Sequence, residues 1–301
     1  MSLGVLNNLN AIYAENNLNN TSNSLSKTLQ QLSSGSRINS GADDAAGLSL
    51  VDGLQANQTA LTQSGTNATE GAGLLQVADG ALSQVTNLLN RAVTLATEAS
   101  NGTLNSSQDA AANQEYQSIL AEINNIGSTT TYNGNQVFIG TAVNIYTGDS
   151  TSTGASIDAL TIDALSSSKV GDTGGAITYT AATGTTPATI SYAATGTVDL
   201  STTKLDNSTD AQAALTNLNS AISAVAAQDG YVGSQINTMN AVSQVMSTQQ
   251  QNIAAAQNAV QATDYAQASS NLSKFEILSQ TGISALAQAN SLQQEVTKLL
   301  Q

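Results

Sequence analysis

The sequence predicts a mainly α protein: a long, coiled-coil-like helical rod formed by both chain ends, with a small β-hairpin and a β-rich inserted outer domain. Three observations predict it. Apolar residues recur at 3–4 spacing through both ends of the 301-residue chain. Much of its 40% apolar content is Ala and only 3% of residues are aromatic, which suits close helix-on-helix packing better than a thick globular core. Between about Thr129 and Asp210 the helical periodicity gives way to Thr, Ser, Gly and turn residues.

Each element follows in order. Leu18, Leu25 and Leu32 lie one heptad apart in a first helix that ends near Ser34-Gly35, a natural helix stop. A second helix carries Leu54, Leu61, Ala68, Leu75, Leu82, Leu89 and Ala96, with Ala78, Val85, Ala92 and Ala99 in the companion positions, and closes at Asn101-Gly102. Gly71, Gly73 and Gly80 interrupt it, each at about 1 kcal/mol relative to Ala, so packing must offset what propensity loses. A shorter helix runs through Tyr116, Ile119, Ile123 and Ile126 to Gly127. Asn133-Gly134 within TYNGNQVF (131–138) is a strong hairpin signal. Short β-like runs follow at 142–146, 176–180 and 189–193, read as a β-rich module or as a Thr/Ser linker. Leu215, Leu218, Ile222, Val225, Val232, Ile236, Met239, Met246, Ile253 and Val260 then share one a/d frame. A helix from Ala211 to Val260 would be roughly 75 Å long. The last helix places Leu272, Phe275, Leu286, Val296 and Leu300 on a 3–4 repeat. Stripes this narrow at the two ends need partner helices.

Charge is distributed unevenly. Residues 1–42 contain only Glu15, Lys27 and Arg37, and residues 265–301 only Lys274, Glu276, Glu295 and Lys298, while the whole chain carries −14. The segment between them, 43–264, therefore carries −15. An acidic chain whose seven cations are scattered is a poor binder of nucleic acid or anionic lipid, so neither nucleic acid nor membrane is expected as a partner. The chain has no Cys and no His, which removes thiolate chemistry and the commonest general base and metal ligand. Asp43-Asp44 is the only adjacent acid pair, and nothing nearby orients a nucleophile; no phosphate-cradling Gly motif precedes a helix. No catalytic residue, cofactor or metal site is expected. The segment MSLGVLNNLN lacks the basic and apolar regions of a cleaved signal, and no stretch reaches the roughly 18 apolar residues of a membrane span.

Around the first stop the glycines Gly35, Gly41 and Gly47 allow the chain to change direction, and Asp43 or Ser40 is placed to cap the second helix, with Arg37 close in sequence to Asp43 and Asp44. This segment, SSGSRINSGADDAAGLSL (33–50), closely resembles the amino-terminal signature of bacterial flagellins. DYAQASSNLSKFEILSQTGISALAQANSLQQEVTKLLQ (264–301) resembles their carboxyl-terminal signature. The resemblance covers about 1–139 and 210–301; residues 140–209 match nothing beyond it, and flagellins vary there.

The resemblance implies a structural subunit that polymerises into the bacterial flagellar filament, outside the cell, and not an enzyme. It implies that 1–41 with 262–301 form the inner core, disordered in the free monomer and folded on assembly. Residues 42–139 with 210–261 would form the next helical layer with the hairpin near 131–139, and 140–209 the variable, surface-exposed insert. Leu18, Leu25, Leu32, Leu272, Phe275, Leu286, Val296 and Leu300 would be polymerisation contacts, with Arg37, Asp43 and Asp44 in a joint touching neighbouring subunits. Near-neutral ends fit, because a charge there repeats in every copy around the axis. The implied partners are further copies of the chain, an export chaperone, the filament cap and the hook–filament junction proteins.

LLNRAVTLATEASNGT (88–103) also resembles the flagellin helix recognised by the vertebrate flagellin-sensing Toll-like receptor; Arg91, Leu95 and Glu115 match its contacts, whereas Asn90 and Val93 depart from the strongest binders. Two rival functions remain at the level of sequence. One is a hook–filament junction protein with related termini, and the other a secreted adhesin or binding protein whose helices display the insert.

Overall fold

The computed structural model describes residues 8–148, 157–170, 176–180, 189–193 and 198–299. Five α-helices and six short strands are present among them: α1 (Leu9–Ser34), α2 (Ala45–Ser100), α3 (Ser106–Thr129), β1 (Thr131–Tyr132), β2 (Asn135–Gln136), β3 (Ala142–Tyr146), β4 (Ile157–Thr161), β5 (Ala176–Thr180), β6 (Thr189–Ala193), α4 (Ser208–Gln261) and α5 (Tyr265–Leu299). The fold is mainly α with small antiparallel sheets, as the sequence predicts. The chain divides into two compact units, one of residues 1–56 with 252–301 and the other of 57–251.

In the larger unit the apolar seam of α2 is buried throughout: Leu61, Ala68, Leu75, Ala78, Leu82, Val85, Leu89, Ala92, Ala96 and Ala99. α3 starts on a capping box, in which the Asn105 side chain accepts from the Gln108 backbone and the Gln108 side chain accepts from the Asn105 backbone. It contributes Tyr116, Ile119, Leu120 and Ile123 to the same core.

On α4 the buried line differs from the one the sequence suggested. Leu218, Val225, Val232, Met239 and Met246 are buried as expected, but their companions are Ala211, Ala214, Ala221, Gln228, Tyr231 and Gln235. Leu215, Ile222 and Ile236 flank the seam and are only half-buried. The reason is size. Alanine at the centre lets helices approach closely, and the larger aliphatics then wrap the edge of the contact.

The described strands lie in antiparallel pairs, β1 with β2 ahead of the inserted segment and β3 with β4 and β5 with β6 within it. Asn133 and Gly134 both take positive φ, 50° and 79°, as the two-residue β1–β2 turn requires. β4, the partner of β3, had no signal strong enough to be read from sequence. The segment is also tied to the helices. Leu160, Ile162, Leu165, Val170, Val198, Leu200 and Leu205 belong to the helical core. Asn124 on α3 accepts from the Ser167 backbone at 2.7 Å and donates to its hydroxyl at 3.0 Å. Tyr116 bonds the Thr203 hydroxyl, and Asn113 accepts from the Leu205 backbone at 3.0 Å.

These contacts account for two of the helix-interior glycines. A Cβ at Gly71 would lie 3.1 Å from Ile145 on β3, and one at Gly73 would lie 3.1 Å from the Tyr132 hydroxyl on β1. Both therefore allow strands to seat against the α2 backbone. A Cβ at Gly80 would meet nothing, and packing offers no account of that glycine.

Candidate functional site

α1 and α5 run antiparallel in the smaller unit. Asn8 caps α1 by accepting from Ala11 N at 3.0 Å, and its amide donates to Ala289 O on α5, also at 3.0 Å. Near the middle, Gly282 admits Leu18, whose Cδ1 would lie 3.2 Å from a Cβ at that position. At the far end Gly35 adopts φ 71° to stop α1, beside the Tyr265 hydroxyl.

Leu18, Leu25, Leu32, Leu272, Phe275 and Leu286 all fall on this seam and are half-buried. Val296 lies in α5 and its side chain is outside the description; Leu300 is outside the described residues. Two helices cannot enclose a core, and among the described residues of α1 and α5 only Thr28 and Ala268 are buried. The remaining apolar side chains stay in water: Ile12 is 46% exposed, Ile277 65% and Ile283 57%, with Leu9, Tyr13, Leu29, Leu278 and Leu292 also exposed. A groove of about 520 Å³ between the helices includes Leu18, Phe275 and Leu278 in its lining. This second apolar face was not singled out from sequence. Its signal was present, because Ile12, Ile277 and Ile283 lie off the heptad frame yet recur along the same helices.

The joint between α1 and α2 is pinned to the one between α4 and α5. Arg37 N donates to Gln261 O at 2.7 Å, and Thr263 N donates to Gly35 O at 3.1 Å. The Arg37 guanidinium donates to Val260 O at 2.8 Å, placing its charge at the carboxyl end of α4, where free carbonyls concentrate negative potential.

Arg37 therefore does not pair with Asp43 or Asp44. Lys27 takes Asp43, at 2.8 Å. Asp43 also accepts from the backbone of Asn39 and Ser40, and these donors hold its carboxyl down at about 2, the Lys27 bond first among them. The capping expectation needs a one-residue correction. Asp44 accepts from Gly47 N at 2.9 Å and caps α2, while Asp43 and Ser40 close the preceding loop. Gly47 is required because a Cβ there would lie 2.7 Å from buried Ile38.

In the other unit Arg91 on α2 pairs with Glu115 on α3 at 2.7 Å, both half exposed. Leu95, one turn on, is 4% exposed and belongs to the core, so it offers a partner little surface. Among the described residues no cluster of acids could hold a metal ion, and no helix is long and apolar enough to cross a membrane.

Comparison with known proteins places this architecture. The bacterial flagellin N-terminal helical region matches residues 5–143, and the flagellin C-terminal helical region matches 215–300. A flagellin of Listeria innocua is 31% identical over 97% of this chain and 98% of its own. The flagellar filament 33 kDa core protein of Treponema phagedenis is 29% identical over the same shares. The crystal structure of Bacillus cereus flagellin aligns with 64% of this chain and 94% of its own, at 26% identity and a TM-score of 0.44. With both terminal regions matched and the relatives spanned nearly end to end, the chain belongs to the bacterial flagellins, the structural subunits that self-assemble into the extracellular flagellar filament.

Proposed function

We propose that this flagellin polymerises by covering the outer apolar face of the α1–α5 pair with the same helices of neighbouring copies. The observation that carries the reading is that face itself, with Ile12, Tyr13, Ile277 and Ile283 left in water by a pair too thin to enclose them. Each incoming copy removes this surface from water, which supplies the driving force and orders the terminal segments as it does so. The near-neutral ends suit such stacking, since a charge there would meet its own repeats.

On this reading residues 1–41 with 262–301 form the inner layer, 42–139 with 210–261 the next, and 140–209 face outward. The joint of Arg37, Asp43 and Asp44 sets where α1 turns back and lies within reach of neighbouring subunits. The chain has no catalytic role. Export chaperone, filament cap and hook–filament junction proteins are its assembly partners by family. A vertebrate receptor contact would centre on the Arg91–Glu115 pair, since Leu95 is committed to the core.

Deleting residues 264–301 tests the assembly reading. Electron microscopy of the concentrated full chain should show long helical filaments, and of the truncated chain none, while circular dichroism should retain the helices of residues 57–251. Filament growth by the truncated chain would refute terminal packing, and a full chain that stays monomeric would favour a display protein.

A further inference from the structure

Beside the α2–α4 seam lies a carboxyl pair outside the terminal helices proposed to drive assembly. The helices are antiparallel: Gly65 on α2 lies against Met246 on α4, and further along Asp79 meets Asp229. Each acid directly follows a buried seam residue, Ala78 and Gln228. Asp79 is exposed and Asp229 half-buried, with one oxygen of Asp229, Oδ1, sealed from solvent and accepting no hydrogen bond. A carboxylate has no proton to give, so two ionised carboxylates here can only repel.

No cation relieves them. The 54 residues of α4 contain no Lys or Arg, nor does α3, and the only other titratable groups on α4 are Asp210 and Tyr231. Tyr231 turns to the Thr161 backbone and the Gln235 side chain, with only the charge of Asp163 acting on it. On α2 the single cation is Arg91, about 18 Å further along the helix and already held by Glu115. Among the described residues the remaining ion pairs are Lys27–Asp43 and Lys204–Asp206, so neither Asp79 nor Asp229 has a cationic partner.

We propose that Asp79 and Asp229 form a proton-operated clamp, in which one shared proton bonds α2 to α4 in mild acid and its loss loosens the seam toward neutral pH. The direction follows from the environment. Burial first, then the bond to Asp79 and its charge, push the Asp229 carboxyl above the ordinary carboxylate range. A group whose folded value is raised contributes stability that is full below the unfolded value and is lost as pH rises through the folded one. The clamp therefore closes on acidification, opposite in sign to the Asp43–Lys27 contact.

The test is thermal unfolding of the full-length monomer in dilute solution from about pH 8 to about pH 4, with Asp79→Asn, Asp229→Asn, the double variant, and Glu98→Gln as a solvent-facing control on α2. An Asn amide can donate to the remaining carboxylate at any pH. Each single variant should raise Tm by about 2–4 °C at the alkaline end and lose that advantage at the acid end, with the control following the wild type. The double variant should gain less than the sum of the two, since the pair acts as one unit. If Asp79→Asn leaves the wild-type slope intact, burial of Asp229 alone is responsible and the shared proton is overturned. If Asp229→Asn brings no gain at the alkaline end, the clamp itself is overturned.

Discussion

Replacing Gly127 by Ala should destabilise this protein, although helix propensity favours the change. Gly127 sits in the last turn of α3, where Ala in place of Gly contributes about 1 kcal/mol of helical preference. Tertiary contact opposes it. A Cβ there would overlap the Leu165 carbonyl oxygen and lie 2.8 Å from its carbon, and a backbone group cannot rotate aside. Moving that segment away costs about 1–3 kcal/mol of overpacking strain. It also breaks the two Asn124–Ser167 hydrogen bonds, one turn from Gly127, at about 1 kcal/mol each. The balance is a loss of about 2–4 kcal/mol, or a fall in Tm of roughly 4–16 °C. Gly80→Ala is the matched control, because a Cβ there meets nothing, and it should gain about 0.5–1 kcal/mol. Thermal melts by circular dichroism compare the two. If Gly127→Ala were as stable as Gly80→Ala, the close seating of Leu165 on α3 would be wrong.

Three further outcomes are expected. Tyr116→Phe leaves the buried Thr203 hydroxyl without its tyrosine partner and should cost about 1–2 kcal/mol in chemical denaturation, with the m-value unchanged. Lys27→Met removes the chief donor to Asp43, so the Asp43 midpoint, followed by carboxyl NMR, should climb from about 2 toward the ordinary 3.8. In the wild type this contact contributes above the ordinary carboxylate value and is lost as pH falls through about 2, so the variant's joint should open at higher pH. Ile277→Asp together with Ile283→Asp places charge on the exposed face of α5; sedimentation should show filament formation abolished while the melt of the monomer shifts little.

Much of this molecule was legible because helix packing writes itself in spacing. The heptads of α2 predicted its buried face nearly residue by residue, and Asn133-Gly134 predicted a hairpin whose turn takes the required positive φ values. Two end segments short of charge, with stripes too narrow for a core, predicted partner helices, and α1 and α5 meet as that argument requires. Misreadings arose where two residues compete for one role. Asp43 and Asp44 are equally good caps by type, and only the path of the loop gives Asp44 the cap and Asp43 the lysine. On α4 bulky Leu215 and Ile222 outweighed Ala214 and Ala221 in the pattern, although the small residues hold the centre of the contact. Leu95 shares a helix face with Arg91 by spacing, yet the neighbouring elements bury one and leave the other in water.

By itself the sequence determined the helices, the hairpin, the family and the uncharged ends, because periodicity, turn chemistry and composition are local properties of the chain. Tertiary structure alone decided which glycine is a hinge, which is a seat for a strand and which is idle, since a missing Cβ has meaning only through the atom that would have met it. It also decided that two aspartates 150 positions apart share one place between α2 and α4. Electrostatic coupling depends on distance in space, and a sequence records distance only along the chain.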